Sequence, residues 1–141
     1  MEDIRSVLSQ FRTKKKDVTD DQKSGPKPGK TPISSEIPDV FFDVILKEYK
    51  LSRQEISLLM FLYRQIWCRP NLYKSHGIGP LNSYTELSAN LGFSTDELGT
   101  YLRALENFGL LETVRSGQYF IRKFFTEDLD IQFGQNYDEF F

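Results

Sequence analysis

The sequence predicts a mainly α-helical domain that carries one small β-hairpin. Three observations support this prediction. Apolar residues recur at helical spacing between residues 39 and 108, Ser-x-x-Glu capping signals precede three of these stretches, and two strand-like runs flank a glycine-containing turn near residue 117. A chain of 141 residues can bury one core of ordinary size and still carry terminal segments.

Two helices are predicted at the start of this domain. Pro38 is a helix-start signal, and the apolar residues that follow it predict a first helix over roughly 39–49. Ser52 and Glu55 have the spacing of a capping box, in which each side chain satisfies a backbone N–H of the other residue. The stretch after this box is apolar on almost every face as far as Trp67, so the second helix is expected to be central and buried.

A long loop and two short helices are expected next. Residues 68–82 contain two prolines and two glycines, and we expect a loop with one short strand at its end. Capping boxes at Ser83 and Ser94, separated by Gly92, predict two helices joined by a tight turn, which is a helix-turn-helix. The residues predicted to face inward are Tyr84, Leu87, Leu91, Leu98, Tyr101, Leu102, Leu105 and Phe108.

The β-hairpin is predicted after Gly109. The runs 110–114 and 118–124 are strand-like and flank the turn Arg115-Ser116-Gly117.

Charge and composition divide the chain into four segments. Residues 1–35 hold eight Lys/Arg against five Asp/Glu, residues 36–125 hold ten against ten, and residues 126–141 hold none against five. Residues 14–35 are rich in Lys, Pro and Gly and have almost nothing apolar to bury, so this stretch should be disordered. The predicted segments are a short amphipathic helix (1–13), a flexible linker (14–35), the folded domain (36–125) and an acidic aromatic tail (126–141).

Both ends of the chain carry apolar side chains that could bind a partner. Ile4, Val7, Leu8 and Phe11 form one stripe of a short helix, which either contacts a partner or folds back on its own domain. In the tail, acidic and apolar residues alternate over 126–133. We expect Leu129, Ile131 and Phe133 to cover the domain, and Tyr137, Phe140 and Phe141 to remain free for a partner. Alternatively, the whole tail packs on the domain, or its charge imitates nucleic acid.

Composition excludes several classes of site. One Cys and one His cannot form a disulfide or a zinc cage within the chain, so no metal or cofactor is expected and a reducing, cytoplasmic location is the simplest interpretation. No secretion signal and no membrane span are predicted. Ser75 and His76 are adjacent in sequence, which supplies neither a positioned base nor an oxyanion hole, and the glycines lack a phosphate-binding pattern. We therefore expect a protein that is not an enzyme.

The order of predicted elements resembles a winged-helix domain. The phrase from Tyr84 to Ser94, continued from Leu102 to Glu112, is similar to the helix-turn-helix and wing entry of that superfamily. The residues 37–43 and 51–56, followed by Tyr63-Arg64, resemble the N-terminal domains of DnaD-type primosome proteins and of O-type phage replication initiators. The resemblance implies DNA binding and assembly of replication machinery without catalysis.

The candidate nucleic-acid residues are cations on three elements. They are Arg103 on the second turn-linked helix, Arg115, Arg122 and Lys123 on the hairpin, and Arg69 and Lys74 in the long loop. Acidic residues outnumber Arg103 on its helix, so we expect modest, non-specific DNA affinity carried by the hairpin and loop; alternatively, these charges only solubilise the surface. Tyr63, Trp67 and Tyr73 are interpreted as packing residues.

The sequence thus predicts a non-catalytic winged-helix adaptor that engages DNA or a replication-type assembly, with tails that bind protein partners. The alternative is a winged helix that does not bind DNA and acts as a protein-interaction or regulatory module. The oligomeric state does not follow from the sequence.

Overall fold

The computed structural model of the chain describes residues 32–139, and residues 35–139 belong to one compact unit. The predicted N-terminal stripe and the last two phenylalanines lie outside the described residues. Between residues 32 and 139 the chain forms five helices and one two-stranded antiparallel sheet. The expected mainly helical fold with a small β-hairpin is therefore confirmed.

Helix α1 is shorter than predicted. It is a π-helical turn, Phe41–Ile45, continued by one α-helical turn, Leu46–Glu48, rather than a helix over 39–49. The helix ends because Tyr49 adopts an extended conformation, with φ −112° and ψ 124°. The buried side chains of α1 are Phe41 and Ile45, which are spaced four residues apart and lie on one face of the helix.

Helix α2, Arg53–Trp67, begins at the predicted capping box. The Ser52 hydroxyl accepts a hydrogen bond from the Glu55 N–H at 3.1 Å, and the Ser52 N–H donates to the Glu55 carboxylate at 2.7 Å. Five of its residues are buried, which confirms that this helix is central; they are Leu58, Leu59, Leu62, Tyr63 and Ile66.

Helices α3, Tyr84–Leu91, and α4, Thr95–Asn107, are joined by a tight turn that starts at Gly92. Gly92 has φ +73°, the left-handed conformation that glycine adopts without steric cost. The core-facing residues of the pair are Leu87, Leu98, Leu102 and Leu105, as predicted.

Two aromatic residues that were predicted to face inward do not do so. Tyr84 is 38% exposed and Phe108 is 37% exposed. Tyr84 is the first residue of α3 and Phe108 follows the end of α4, so both lie at helix termini rather than on the stripes that the core covers. Phe108 instead packs edge-on against Tyr49, with the ring centroids 5.8 Å apart.

The hairpin consists of β1, Glu112–Arg115, and β2, Gln118–Phe120, both shorter than predicted. Leu110 and Leu111 precede β1 and are buried in the core instead of pairing as strand residues. The short strand expected at the end of the long loop is a single bridge, which joins Ile78 to Phe120 on the free edge of β2.

The hairpin turn is fixed against the loop before α3. The Gly117 carbonyl accepts a hydrogen bond from the Asn82 N–H at 2.7 Å. Gly117 has φ +83°, and a Cβ atom there would lie 2.2 Å from the Asn82 carbonyl oxygen, so only glycine fits this close approach. Asn82 and Gln65 exchange side-chain hydrogen bonds of 2.8 and 3.1 Å, which tie the same loop to α2.

The chain turns sharply after the hairpin, at Phe125. This buried residue has φ +74°, which is unfavourable for a bulky side chain. Its ring stacks on Tyr63 at 4.7 Å between centroids and also contacts Phe41 at 5.2 Å. Aromatic packing in the core therefore holds the strained backbone in place.

Helix α5, Glu127–Gln132, occupies the stretch that we expected to cover the domain with alternating apolar residues. Thr126 caps this helix by accepting a hydrogen bond from the Leu129 N–H at 3.2 Å. Leu129 packs against the core, but Ile131 and Phe133 are 71% and 48% exposed. The expectation for Ile131 was wrong, because a helical turn places Asp130, not Ile131, on the inner face. The half-exposed Phe133 does contact the domain, since its ring lies 4.8 Å from that of Phe124 between centroids.

Leu59 of α2 and Leu105 of α4 are both fully buried in the shared core. Replacing either by Ala should lower the free energy of unfolding by about 2–5 kcal/mol, because each change leaves a cavity. The exposed Ile131→Ala change is the matched control and should cost less than about 0.5 kcal/mol. Denaturant unfolding of the three variants measures this, and parental stability of both core variants would contradict the packing.

Candidate nucleic-acid interface

The six predicted cations lie in different environments. Arg103 is exposed on α4, and Arg115 is exposed at the end of β1, next to the hairpin turn. The Arg115 Nε donates a 2.7 Å hydrogen bond to the side-chain oxygen of Gln118, a buried residue that in turn donates to the Gly79 carbonyl. This contact holds Arg115 against the hairpin.

Acidic residues outnumber Arg103 at the exposed positions of α4. Asp96 and Glu97 lie in the first turn of the helix, and Glu106 lies one turn after Arg103. The backbone hydrogen bond with Ser94 lowers the pKa of the Glu97 carboxyl, so this group keeps its negative charge at neutral pH. Glu106 accepts a hydrogen bond from the Thr113 hydroxyl, which joins the last turns of α4 to β1.

Arg122 is held within the fold. Its guanidinium donates to the Asp130 carboxylate at 3.2 Å, and Asp130 is only 2% exposed. The same guanidinium lies 5.4 Å from the centroid of Phe120 and 5.9 Å from that of Tyr137. Removing Arg122 would leave a buried carboxylate without its counter-charge. Its primary role is therefore structural.

Tyr137 is not free, contrary to the expectation for the tail. Its hydroxyl donates to the Asp130 carboxylate at 2.5 Å and accepts from the Lys123 N–H at 2.8 Å, while its ring contacts Phe120 and Trp67. Burial, followed by the hydrogen bond to Asp130, raises the pKa of the Tyr137 phenol well above its usual value. The hydroxyl thus keeps its proton at neutral pH and remains a donor.

The backbone beyond Tyr137 also contacts the domain. The Asp138 N–H donates to the Ser75 carbonyl at 3.0 Å, and the Asp138 carbonyl lies 2.7 Å from Nδ1 of His76. The described end of the chain therefore lies along the Lys74–His76 turn as part of the folded unit.

Lys74 and Lys123 line one groove, which we call the aromatic groove. Its volume is about 740 Å³, and the lining residues that bear on binding are Glu36, Asp39, Trp67, Lys74, Lys123 and Phe124. Both lysines are exposed, and the two aromatic rings are half-buried. The Lys123 ammonium lies 5.9 Å from each ring centroid. Two of the six predicted cations thus line the same groove.

The walls of the aromatic groove are fixed by hydrogen bonds. The Lys123 N–H donates to Tyr137, and the Lys123 carbonyl accepts from the Tyr63 hydroxyl, each at 2.8 Å. Burial raises the pKa of Tyr63, so this donor also stays protonated. Trp67 donates through its indole N–H to the Ile121 carbonyl at 3.0 Å.

The opposite wall of the groove is tied to the end of α2. The Cys68 thiol donates to the Glu36 carbonyl at 3.3 Å. Arg69 donates to the Ser35 hydroxyl at 3.2 Å and to the Cys68 carbonyl at 2.8 Å. Arg69, a predicted nucleic-acid residue, is thus half-buried and engaged in holding this wall.

Sequence reasoning missed Asp130, Glu36 and Asp39. The sequence does contain a signal for Asp130, because Thr126 as a helix cap and Gly134 as a helix stop predict a short helix between them. Helical spacing places Asp130 and Ile131 on different faces of that helix. Glu36 and Asp39 carry no such signal, because their position beside Lys123 depends on a contact distant in sequence.

No protein-family model, curated protein or solved structure matches this chain. None of the helices between residues 32 and 139 has the length and apolar character that crossing a bilayer requires. Within the same range, no three His, Cys, Asp or Glu side chains are grouped so that they could hold a metal ion.

Replacing Asp130 by Asn should destabilise the fold by about 2–4 kcal/mol, because it removes a buried charge that Arg122, Tyr137 and the Phe124 N–H all contact. Asp128→Asn, on the exposed side of the same helix, is the matched control and should change stability by less than about 0.5 kcal/mol. Thermal and urea unfolding compare the two. Equal effects of both substitutions would show that the Asp130 contacts contribute nothing specific.

Proposed function

We propose that residues 36–125 form a winged helix and that the protein is a non-catalytic adaptor that engages DNA or a DNA-processing assembly of the replication type. The observation that carries this proposal is the arrangement of α3, α4 and the hairpin. The tight turn joins two packed helices, and the hairpin follows directly. The antiparallel bridge between Ile78 and Phe120 extends the hairpin on the β2 side. This order of packed elements is typical of a winged helix-turn-helix.

The surface proposed for duplex DNA includes the exposed side of α4 and the hairpin turn. Glu106 contacts Thr113 across these two elements. Arg103 lies one helical turn before Glu106 on α4, and Arg115 ends β1 after a bulge that follows Thr113, so each exposed arginine belongs to one of the two elements that this contact joins. Side chains placed in this way would contact phosphates on either side of a groove edge.

The charges on α4 limit the affinity that this surface can reach. Asp96, Glu97 and Glu106 all lie on the helix that a winged helix would present to the major groove, and like charges oppose phosphate. Arg122, one of the expected hairpin cations, is neutralised by Asp130. We therefore propose modest, non-specific binding that depends on Arg103 and Arg115.

A second candidate function is a winged helix that does not bind DNA and contacts proteins instead. The acidic side of α4 favours it, since this side repels phosphate but suits a basic protein partner. Under either proposal, Ile4, Val7, Leu8, Phe11, Phe140 and Phe141 remain the proposed partner-binding residues. Tyr137 leaves that set, because its ring and hydroxyl are used within the domain.

The proposal that the protein is not an enzyme has one structural support. One group of close titratable side chains, Arg122, Asp130 and Tyr137, is arranged so that each member satisfies another, and Asp130 is almost completely buried. Such a network stabilises a fold, whereas a catalytic group needs access to a substrate.

Replacing Arg103 and Arg115 together by Gln should weaken binding to a short duplex about tenfold at low salt. It should also reduce the slope of log K against log salt by about 1.8, because each lost phosphate contact releases about 0.9 fewer counterions. Fluorescence anisotropy at several salt concentrations measures both quantities. Unchanged melting temperatures show that the variants remain folded.

A variant that replaces Lys50 and Arg53 by Gln removes the same charge from exposed positions outside this surface and is the control. It should retain nearly all duplex affinity. Equal losses in the two double variants would mean that the protein attracts DNA only through its total charge. Absence of duplex binding by the parent protein at low salt would favour the protein-interaction function.

A further inference from the structure

We propose that the aromatic groove is a second nucleic-acid site, which binds a nucleotide of a single strand rather than a duplex. The groove combines three kinds of group within about 740 Å³: the cations Lys74 and Lys123, the rings of Trp67 and Phe124, and the carboxylates Glu36 and Asp39. The inference rests on the proposed function only in that both name DNA as the ligand, since the surface and its residues are different.

The two lysines provide the phosphate contact. Lys74 comes from the turn after α2 and Lys123 from the segment after β2, so the fold places cations from distant parts of the sequence on one groove. The Lys123 backbone is held at both its N–H and its carbonyl by tyrosine hydroxyls. A cation on a backbone held in this way loses less conformational entropy when it binds a phosphate.

The aromatic rings provide the base contact. Trp67 is fixed by its indole hydrogen bond to the Ile121 carbonyl, and Tyr137 packs beside it at 6.2 Å between ring centroids. The Lys123 ammonium lies over both Trp67 and Phe124, and Phe133 packs against Phe124 at 4.8 Å between ring centroids. A phosphate bound at Lys123 would therefore lie beside Trp67, the ring on which its base can stack. Paired bases in a duplex are stacked on each other and cannot make this contact.

The carboxylates determine how the nucleotide lies and which base is preferred. Glu36 and Asp39 repel phosphate but accept hydrogen bonds from amino groups. Cytosine, adenine and guanine carry such an amino group on the Watson–Crick edge, which a single strand exposes, whereas thymine offers only its N3–H as a donor there. The groove therefore favours a cytosine or adenine strand over a thymine strand.

The sequence contains one tryptophan, so the intrinsic fluorescence of Trp67 reports on this groove. Titration of the full chain with an eight-nucleotide oligo-dC at low salt should quench Trp67 emission with saturation. Oligo-dT should bind at least threefold more weakly, and an eight-base-pair duplex should quench less than either strand. Labelled oligo-dC followed by anisotropy gives the affinities of the variants.

Replacing Lys74 and Lys123 together by Gln should lower oligo-dC affinity at least tenfold and reduce the salt slope by about 1.4, because a single strand releases about 0.7 counterion per contact. The matched control replaces the exposed lysines Lys47 and Lys50 by Gln and should bind like the parent. The variant without Arg103 and Arg115 should also keep its oligo-dC affinity, which separates this site from the duplex surface.

Several results would overturn the inference. These are no saturable quenching by oligo-dC, quenching that survives the Lys74/Lys123 change, equal affinity for oligo-dT, or tighter binding of the duplex in this groove. An acidic peptide that quenches Trp67 as strongly as oligo-dC would show a general anion site and would also overturn it. If any of these results is found and the Arg103/Arg115 variant still loses duplex binding, the proposed function is supported and only the groove site is ruled out.

Discussion

The carboxylate of Asp130 is 2% exposed and receives hydrogen bonds from the Arg122 guanidinium, the Phe124 N–H and the Tyr137 hydroxyl. A buried carboxylate is costly unless such donors surround it. Arg122 and Phe124 belong to the segment after the hairpin, and Tyr137 belongs to the end of the described chain, so the Asp130 carboxylate joins these two segments. Removal of any donor leaves the remaining charge less well satisfied, which makes the arrangement cooperative.

The surface chemistry of the protein follows from this constraint. Tyr137, held by Asp130, fixes the Lys123 N–H and packs beside Trp67, so the acidic network builds one wall of the aromatic groove. The same network withdraws Arg122 from the surface. The cations that remain exposed are Arg103 and Arg115 on the proposed duplex surface, and Lys74 and Lys123 on the aromatic groove. The buried acid thus withdraws Arg122, while Arg69 is held separately by Ser35 and Cys68.

Local signals in the sequence predict much of the fold. The capping boxes at Ser52 and Ser94 begin helices where predicted, and Gly92 ends one, because these signals act within a few residues of backbone. The prediction missed helix α5, Glu127–Gln132, because it followed the alternation of acidic and apolar residues as the main signal rather than the helix cap at Thr126. The runs at 110–114 and 118–124 overestimated the strands, because pairing between them covers only Glu112–Arg115 and Gln118–Phe120.

The site was less predictable than the fold, for a physical reason. All six candidate cations were identified by residue type, but charge alone does not reveal which partner each meets. Arg122 and Asp130 are eight residues apart, yet Lys74 and Trp67 meet Lys123 only through tertiary packing. Tyr137 was assigned to a free tail because aromatic residues near a chain end carry no sign of the acid that holds them.

Amide hydrogen exchange at Lys123 tests most directly whether the end of the described chain is part of the domain and builds the groove. The Lys123 N–H donates to the Tyr137 hydroxyl, while the neighbouring Phe124 N–H donates to Asp130. Both amides should be protected in the parent protein. Tyr137→Phe removes one hydroxyl, so protection at Lys123 should fall at least tenfold while Phe124 stays protected. Exchange of the Lys123 amide at the rate of an unstructured peptide in the parent protein would show that Tyr137 does not hold this backbone.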